Sequence, residues 1–265
     1  MRPLLILCCL LSSLATVESL VDRAALEPGQ AVPLLVAASR ELAATVSFER
    51  IRVLADALDP LSRRIYLGGW HVPQRGDAGF AIRTLVAGDT ISRIAAHAGT
   101  PSDLLVRLNP GIDPRRLRVG QRMTVLDASS TPLRTVAYLR IHRLLVWRGP
   151  LLVMACPIGI GTRATPTPTG STTLAKRVKN PEWRDPTTGK VHPPGSPGNR
   201  LGGYWLGFDP GPDKRFRSIG CHGWTGEDPE QWLDQASSLG CLRLRQTDIA
   251  DLYDLLIPGT AIEIR

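Results

Sequence analysis

The sequence predicts a chain that is mainly β in its C-terminal half, with a small β-α-α-β unit and a helical segment ahead of it. Three observations carry this reading. Between Arg83 and Asp127, two short capped helices lie between two strand-like runs. From Leu133 onward, alternating apolar stretches are divided by Gly and Pro turns, the pattern of strands and not of helices. From Pro33 to Asp59, apolar residues instead recur at helical spacing.

The chain has 265 residues, enough for two modest domains, and a formal net charge of +8. That charge favours an anionic neighbourhood. The basic residues are dispersed, with no Lys/Arg run and little aromatic interleaving, which argues against a nucleic-acid partner. Met1-Arg2, the apolar run Leu4–Leu14 and Ala15 resemble a secretory signal, so residues 1–19 are assigned as a signal peptide or N-terminal anchor. The run is too short to span a bilayer, and membrane association is expected only through an uncleaved signal. Export leaves Cys156, Cys221 and Cys241, an odd set in a compartment that permits disulfides. Cys156 and Cys221 lie in apolar strand-like runs and are read as small buried hydrophobes, a bridge between them remaining open.

Residues 20–82 form a helical segment and linker of unassigned role. Pro33 is placed as the first residue of a helix, Leu35, Leu42, Val46, Val53 and Ala57 as its apolar stripe, and Asp59-Pro60 as its end. Gly68-Gly69 and Pro73 to Gly79 read as loop.

In residues 83–127, Thr84-Leu85-Val86 is a strand and Ala87 to Thr90 a turn in which Asp89 caps the next helix. Ile91, Ile94 and Ala95 face one way, and Gly99 stops that helix in a left-handed conformation. Thr100 is expected to cap a second helix, with Pro101 at its first position and Leu104, Leu105 and Leu108 inward. Asn109-Pro110-Gly111 ends it, and Arg122 to Leu126 is the closing strand.

After a linker at 128–132 come strands over Arg134–Ile141, Leu144–Trp147 and Leu151–Ile160. The Pro- and Gly-rich text from Thr165 to Gly198 excludes continuous sheet, because Pro removes ladder donors. Asn180 to Gly202 is read as a long loop over the site. Thr247 caps a helix to Leu256, and Thr260–Ile264 is the last strand.

The chemistry concentrates between Ile219 and Asp248. Gly220-Cys221-His222-Gly223 is followed, after an acidic insert, by Ser237-Ser238-Leu239-Gly240-Cys241-Leu242-Arg243. A cysteine attacks as thiolate, and a nearby histidine lowers its pKa and moves the proton, so Cys241 and His222 are the candidate pair. A glycine beside the nucleophile lets substrate approach backbone N–H donors. The spacing of Cys221, His222 and Cys241 matches no standard zinc pattern. No metal or cofactor is assigned.

His-Gly followed by Ser-x-Gly-Cys-[apolar]-Arg resembles the signature of the YkuD-type L,D-transpeptidase catalytic domain of bacterial cell-wall enzymes. The resemblance spans residues 133–265, through Gly161–Gly170, Asn180-Pro181-Glu182-Trp183, Gly198–Gly202, Trp205–Asp209 and Pro258-Gly259-Thr260. It implies an L,D-transpeptidase-like β-sandwich with a C-terminal-side helix. It also implies an acyl-enzyme on Cys241, formed from a peptidoglycan tetrapeptide stem and resolved by an amine, giving a 3-3 cross-link or an attached protein. His222 is then the base and Gly223, through its carbonyl, its orienter. The N–H groups of Gly240 and Cys241 form the oxyanion hole. Ser238 holds the turn or the histidine, and Arg243 meets a carboxylate of substrate or fold.

Resolution by water, and a non-enzymatic wall-binding role, are the alternatives. Leu239 stands where histidine is common, Cys221 replaces an aliphatic residue, and the insert Trp224–Gln235 is long. Trp224 and Trp232 are assigned to loop packing ahead of a role as a peptide platform.

Gly88-Asp89-Thr90-Ile91, Leu104, Asn109-Pro110 and Val119-Gly120-Gln121 resemble a LysM module, which implies binding of N-acetylglucosamine-containing glycans through Gly88, Asp89, Thr90, Asn109 and Pro110. The expected setting is the periplasm or cell envelope, and the expected state a monomer.

Overall fold

The computed structural model describes residues 28–68, 79–129, 131–226 and 228–265. The signal assignment, Gly69 and most of the loop from Pro73 lie outside the described residues. The chain divides into two compact units, one comprising residues up to Leu133 with Leu145–Ala155, the other Arg134–Leu144 with Cys156–Arg265.

The N-terminal segment forms two helices where the sequence predicts one, α1 (Pro28–Ala44) and α2 (Phe48–Tyr66). The break falls at Thr45–Ser47, where Val46 is 92% exposed and the Ser47 hydroxyl accepts the Arg50 N–H to cap α2. Pro33 lies inside α1 and Pro60 inside α2, so neither marks an end. A proline there costs one backbone hydrogen bond. Burial of Leu58, Leu61, Ile65 and Tyr66 on either side of Pro60 offsets it. The helical period is as expected, but the buried stripe is Ile51, Leu54, Ala55 and Leu58, turned one position from Val53 and Ala57.

The β-α-α-β unit follows: β1 (Phe80–Thr84), α3 (Ile91–Ala98), α4 (Ser102–Leu108) and β2 (Arg122–Leu126). β1 and β2 pair antiparallel from Phe80↔Leu126 to Thr84↔Arg122. β1 thus starts and ends earlier than predicted, and Leu85 turns into a core with Ile91, Ile94, Leu105 and Met123. Asp89 does not cap α3. Its carboxylate accepts the Val86 N–H at 2.9 Å and pairs with Arg83 at 2.8 Å, while Thr90 is the cap. Thr100 is not the cap of α4 either. Gly99 sits at φ 66, and the Thr100 N–H returns to the Ala95 carbonyl, so Thr100 closes the end of α3 in a Schellman arrangement. Its hydroxyl is buried without a hydrogen-bond partner.

β3 (Leu133–Tyr138) leads through a 3-10 turn and His142, at φ 52, into β4 (Arg143–Arg148) and β5 (Leu151–Pro157). β5 ends the strand order, and its outward backbone is met by the N-terminal helices. The Ser39 hydroxyl accepts the Leu152 N–H at 3.0 Å, and Asp59 accepts the Ala155 N–H at 2.7 Å. Arg63 donates to the Ala155 carbonyl at 3.0 Å while paired with Asp59. Residues 28–66 therefore cover an edge that would otherwise present open hydrogen-bonding groups.

The second unit adds β6 (Ile160–Gly161), β7 (Gly170–Lys179), β8 (Trp183–Arg184), β9 (Val191–His192), β10 (Tyr204–Phe208), β11 (Gly220–Gly223), β12 (Ala236–Ser238), β13 (Leu242–Leu244), α5 (Gln246–Leu255) and β14 (Ala261–Ile264). Its main strands run β13–β11–β10–β7–β14–β3. The unit is mainly β with a helix toward its C-terminal side, as predicted. β7 is a strand the sequence reading missed: it fills the proline-free gap between Pro168 and Pro181, where it pairs with both β10 and β14. α5 starts at Gln246 with Arg245 at its cap position, so Thr247 lies within the helix.

Candidate active site

Two parallel strands set the geometry. β11 pairs with β13 in the register Cys221↔Leu242, His222↔Arg243, which places Cys241 at the entry of β13. Alternation along β11 sends neighbouring side chains to opposite faces. Accordingly, His222 lines a cavity of about 1010 Å³, whereas Cys221 is buried and does not line it. The same cavity is lined by Cys241, Ser238 and Arg243, so four of the sequence-predicted residues converge. The loop read as lying over the site contributes Pro181 to Thr187.

The His222 ring is held on three sides. Its Nδ1 bonds the Gly223 carbonyl at 2.5 Å. A carbonyl only accepts, so Nδ1 carries the proton and Nε2 keeps its lone pair. Trp205, opposite His222 in the β10–β11 ladder, stacks on the ring at 5.8 Å, and Trp224 lies 6.1 Å away. Burial, with a smaller push from Arg243, drives the His222 pKa down to about 4, although the Gly223 carbonyl acts in the other direction.

Ser238 holds the turn and not the histidine: its hydroxyl donates to the Cys241 carbonyl at 2.6 Å and accepts the Gly240 N–H at 3.0 Å. Gly240, at φ 115, aims its N–H back at Ser238, which occupies a donor that the sequence reading gave to the oxyanion hole. The Cys241 thiol, partly exposed, donates to the Ser218 carbonyl at 3.5 Å. Ser218 itself sits at φ 62, a left-handed conformation uncommon for serine. Burial pushes the Cys241 pKa up to about 11, against lowering by the Gly220 N–H and by Arg243. Burial thus favours the neutral form of both the thiol and the imidazole that line this cavity.

Cys156 and Cys221 are both buried and form no disulfide with each other, so the bridge left open by the sequence is absent. The two insert tryptophans part company. Trp232 is 2% exposed and packs, while Trp224 lines the cavity with its ring 3.5 Å beneath the Arg243 guanidinium. Trp205, Ser218 and Gly220 had no assigned role in the sequence reading. Their contacts depend on cross-strand pairing, which no local pattern reports.

Residues 134–264 match the YkuD family, described as an L,D-transpeptidase catalytic domain, and residues 84–125 match the LysM domain. The chain carries an L,D-transpeptidase catalytic domain behind a LysM domain. The Bacillus licheniformis protein named as the L,D-transpeptidase YkuD is 26% identical over 180 residues, covering 67% of this chain and 94% of that one. The Escherichia coli L,D-transpeptidase YcfS is 26% identical over 205 residues, covering 67% of this chain and 59% of its own length. A crystal structure of an Enterococcus faecium L,D-transpeptidase aligns at a TM-score of 0.41 and 15% identity, over 56% of each chain.

Of the LysM residues named from sequence, Gly88 and Thr90 are exposed in the β1–α3 turn and Asp89 is half-buried there; Pro110 is exposed after α4. Asn109 is buried, and its amide is spent on the scaffold. It donates to the Leu105 and Thr124 carbonyls at 2.8 Å each and accepts the Thr124 N–H at 2.7 Å.

Proposed function

We propose that this L,D-transpeptidase is an exported cell-wall enzyme that forms an acyl-enzyme on Cys241 from a peptidoglycan tetrapeptide stem and passes it to an amine. The observation that carries this reading is the pairing, on one cavity, of a thiol with an imidazole whose Nε2 is free of its proton at neutral pH. Nε2 takes the thiol proton as Sγ attacks the stem carbonyl, so charge separates only in the transition state. The Cys241 N–H meets the oxyanion. His222 returns the proton to the departing amine, leaving a thioester. An acceptor amine then attacks, loses a proton to His222, and expels the Cys241 sulfur. Arg243 serves as the carboxylate partner.

The LysM domain would hold glycan strands through the Gly88-Asp89-Thr90 turn and Pro110, with Asn109 keeping α4 and β2 in register. No helix among the described residues is long and apolar enough to cross a membrane. Incubation with purified muropeptides and mass spectrometry of the products tests the reading. Cross-linked dimers that disappear in Cys241→Ala support transfer; shortened monomers alone replace it with hydrolysis.

A further inference from the structure

We propose that Trp224 is a positioning residue that fixes the Arg243 guanidinium as a carboxylate receptor beside Cys241, so that anionic acyl donors are preferred over neutral ones. The inference rests on reading this cavity as the acyl-donor site, and it assigns that site a determinant of charge selectivity.

Arg243 lies at β13, directly opposite His222, and with Trp224, His222 and Cys241 it lines the cavity. Its guanidinium carbon sits 3.5 Å above the Trp224 ring centroid, a close cation–π stack. One Nη1–H reaches the Ser237 hydroxyl at 3.4 Å. A guanidinium stacked by its face keeps its N–H fork in plane, and that fork is the part that grips a carboxylate with two parallel bonds. The ring removes most of the swing of a long side chain, so less order is lost when an anion docks. Arg243 also bears on both reacting groups, since its charge favours the Cys241 thiolate and disfavours protonated His222. A cation placed to do that is within reach of a carboxylate on the peptide that acylates Cys241.

Trp224 is itself anchored. Arg200, from the loop over the site, lies 6.0 Å from the same ring, and the neighbouring Thr225 hydroxyl donates to the Asn199 carbonyl at 3.0 Å. Asn199 in turn donates to the Pro181 carbonyl at 2.8 Å and accepts the Leu201 N–H at 3.0 Å. The insert and the loop thus brace the tryptophan on which the arginine rests.

The test uses a pair of probes of nearly equal size, iodoacetate and iodoacetamide, which alkylate Cys241 as an anion and as a neutral molecule. Rates are measured on the full chain at pH 9 by mass spectrometry of the Cys241 peptide. The iodoacetate-to-iodoacetamide rate ratio should fall roughly tenfold in Trp224→Ala, the scale of one cation–π contact. Arg243→Gln should lower it at least as far, the double variant should add nothing, and Trp224→Phe should restore most of it. A ratio unchanged in Trp224→Ala, or lowered additively in the double variant, overturns the proposal. Exclusion of both probes from Cys241 overturns it as well, since a carboxylate must be able to reach the thiol. The expected ratios without turnover of stems would instead sink the proposed function and leave only the Trp224–Arg243 carboxylate receptor standing.

Discussion

The resting state of the Cys–His pair has a measurable consequence in the pH dependence of Cys241 alkylation by iodoacetamide. An ordinary cysteine here would titrate at 9.0, whereas burial carries Cys241 to about 11. At pH 8 the thiolate share is then roughly one part in a thousand, against roughly one in ten for the ordinary thiol, so alkylation should be about a hundredfold slower. Because a raised thiol pKa withholds the thiolate below it, the rate should climb about tenfold per pH unit and level off only near pH 11. Arg243→Gln removes a cation that favours the thiolate and should slow the reaction further. The assay is stopped alkylation followed by mass spectrometry of the Cys241 peptide, which separates it from the buried Cys156 and Cys221. A plateau already reached below pH 7 would mean a preformed thiolate–imidazolium pair and would refute the neutral resting state.

Three further outcomes follow from the same structure. His222 is pulled from 6.5 to about 4, so between those values the unfolded chain binds a proton that the folded one does not. Stability should be complete above pH 6.5 and fall by about 3 kcal/mol as pH drops to 4. His222→Gln should flatten that part of the profile in denaturant titrations; an unchanged slope would count against the burial effect. Asp59→Ala leaves the Ala155 N–H unmet at the β5 edge and removes the carboxylate that Arg63 pairs with, which should cost about 1–3 kcal/mol in thermal unfolding. In Gly220→Ala, a methyl group would run into the Leu206 carbonyl and the Trp205 ring. This should cost about 1–3 kcal/mol and shift His222, seen as a changed pH profile of turnover.

Much of the fold was legible where local chemistry decides it. The β2 strand, the Gly99 helix stop and the Leu104, Leu105 and Leu108 face follow from turn residues and helical spacing. The errors mark competition that sequence does not display. Thr100 suits an N-cap equally well, but closing α3 claimed it first. β7 alternates poorly in burial, and its partners β10 and β14 come from distant segments. At the site, residue types announced the thiol, the imidazole and the arginine. Their protonation states could not be read, because burial and cross-strand neighbours set them. Trp224 and Trp232 are alike in a string of letters, and only folding puts one in the core and the other under a guanidinium.

The most direct test of the account is to trap the chain with a tetrapeptide stem and locate the covalent adduct. The account predicts an acyl mass on the peptide containing Cys241, lost in Cys241→Ala and slow to form in His222→Gln. An adduct on any other residue, or undiminished turnover in Cys241→Ala, would contradict it.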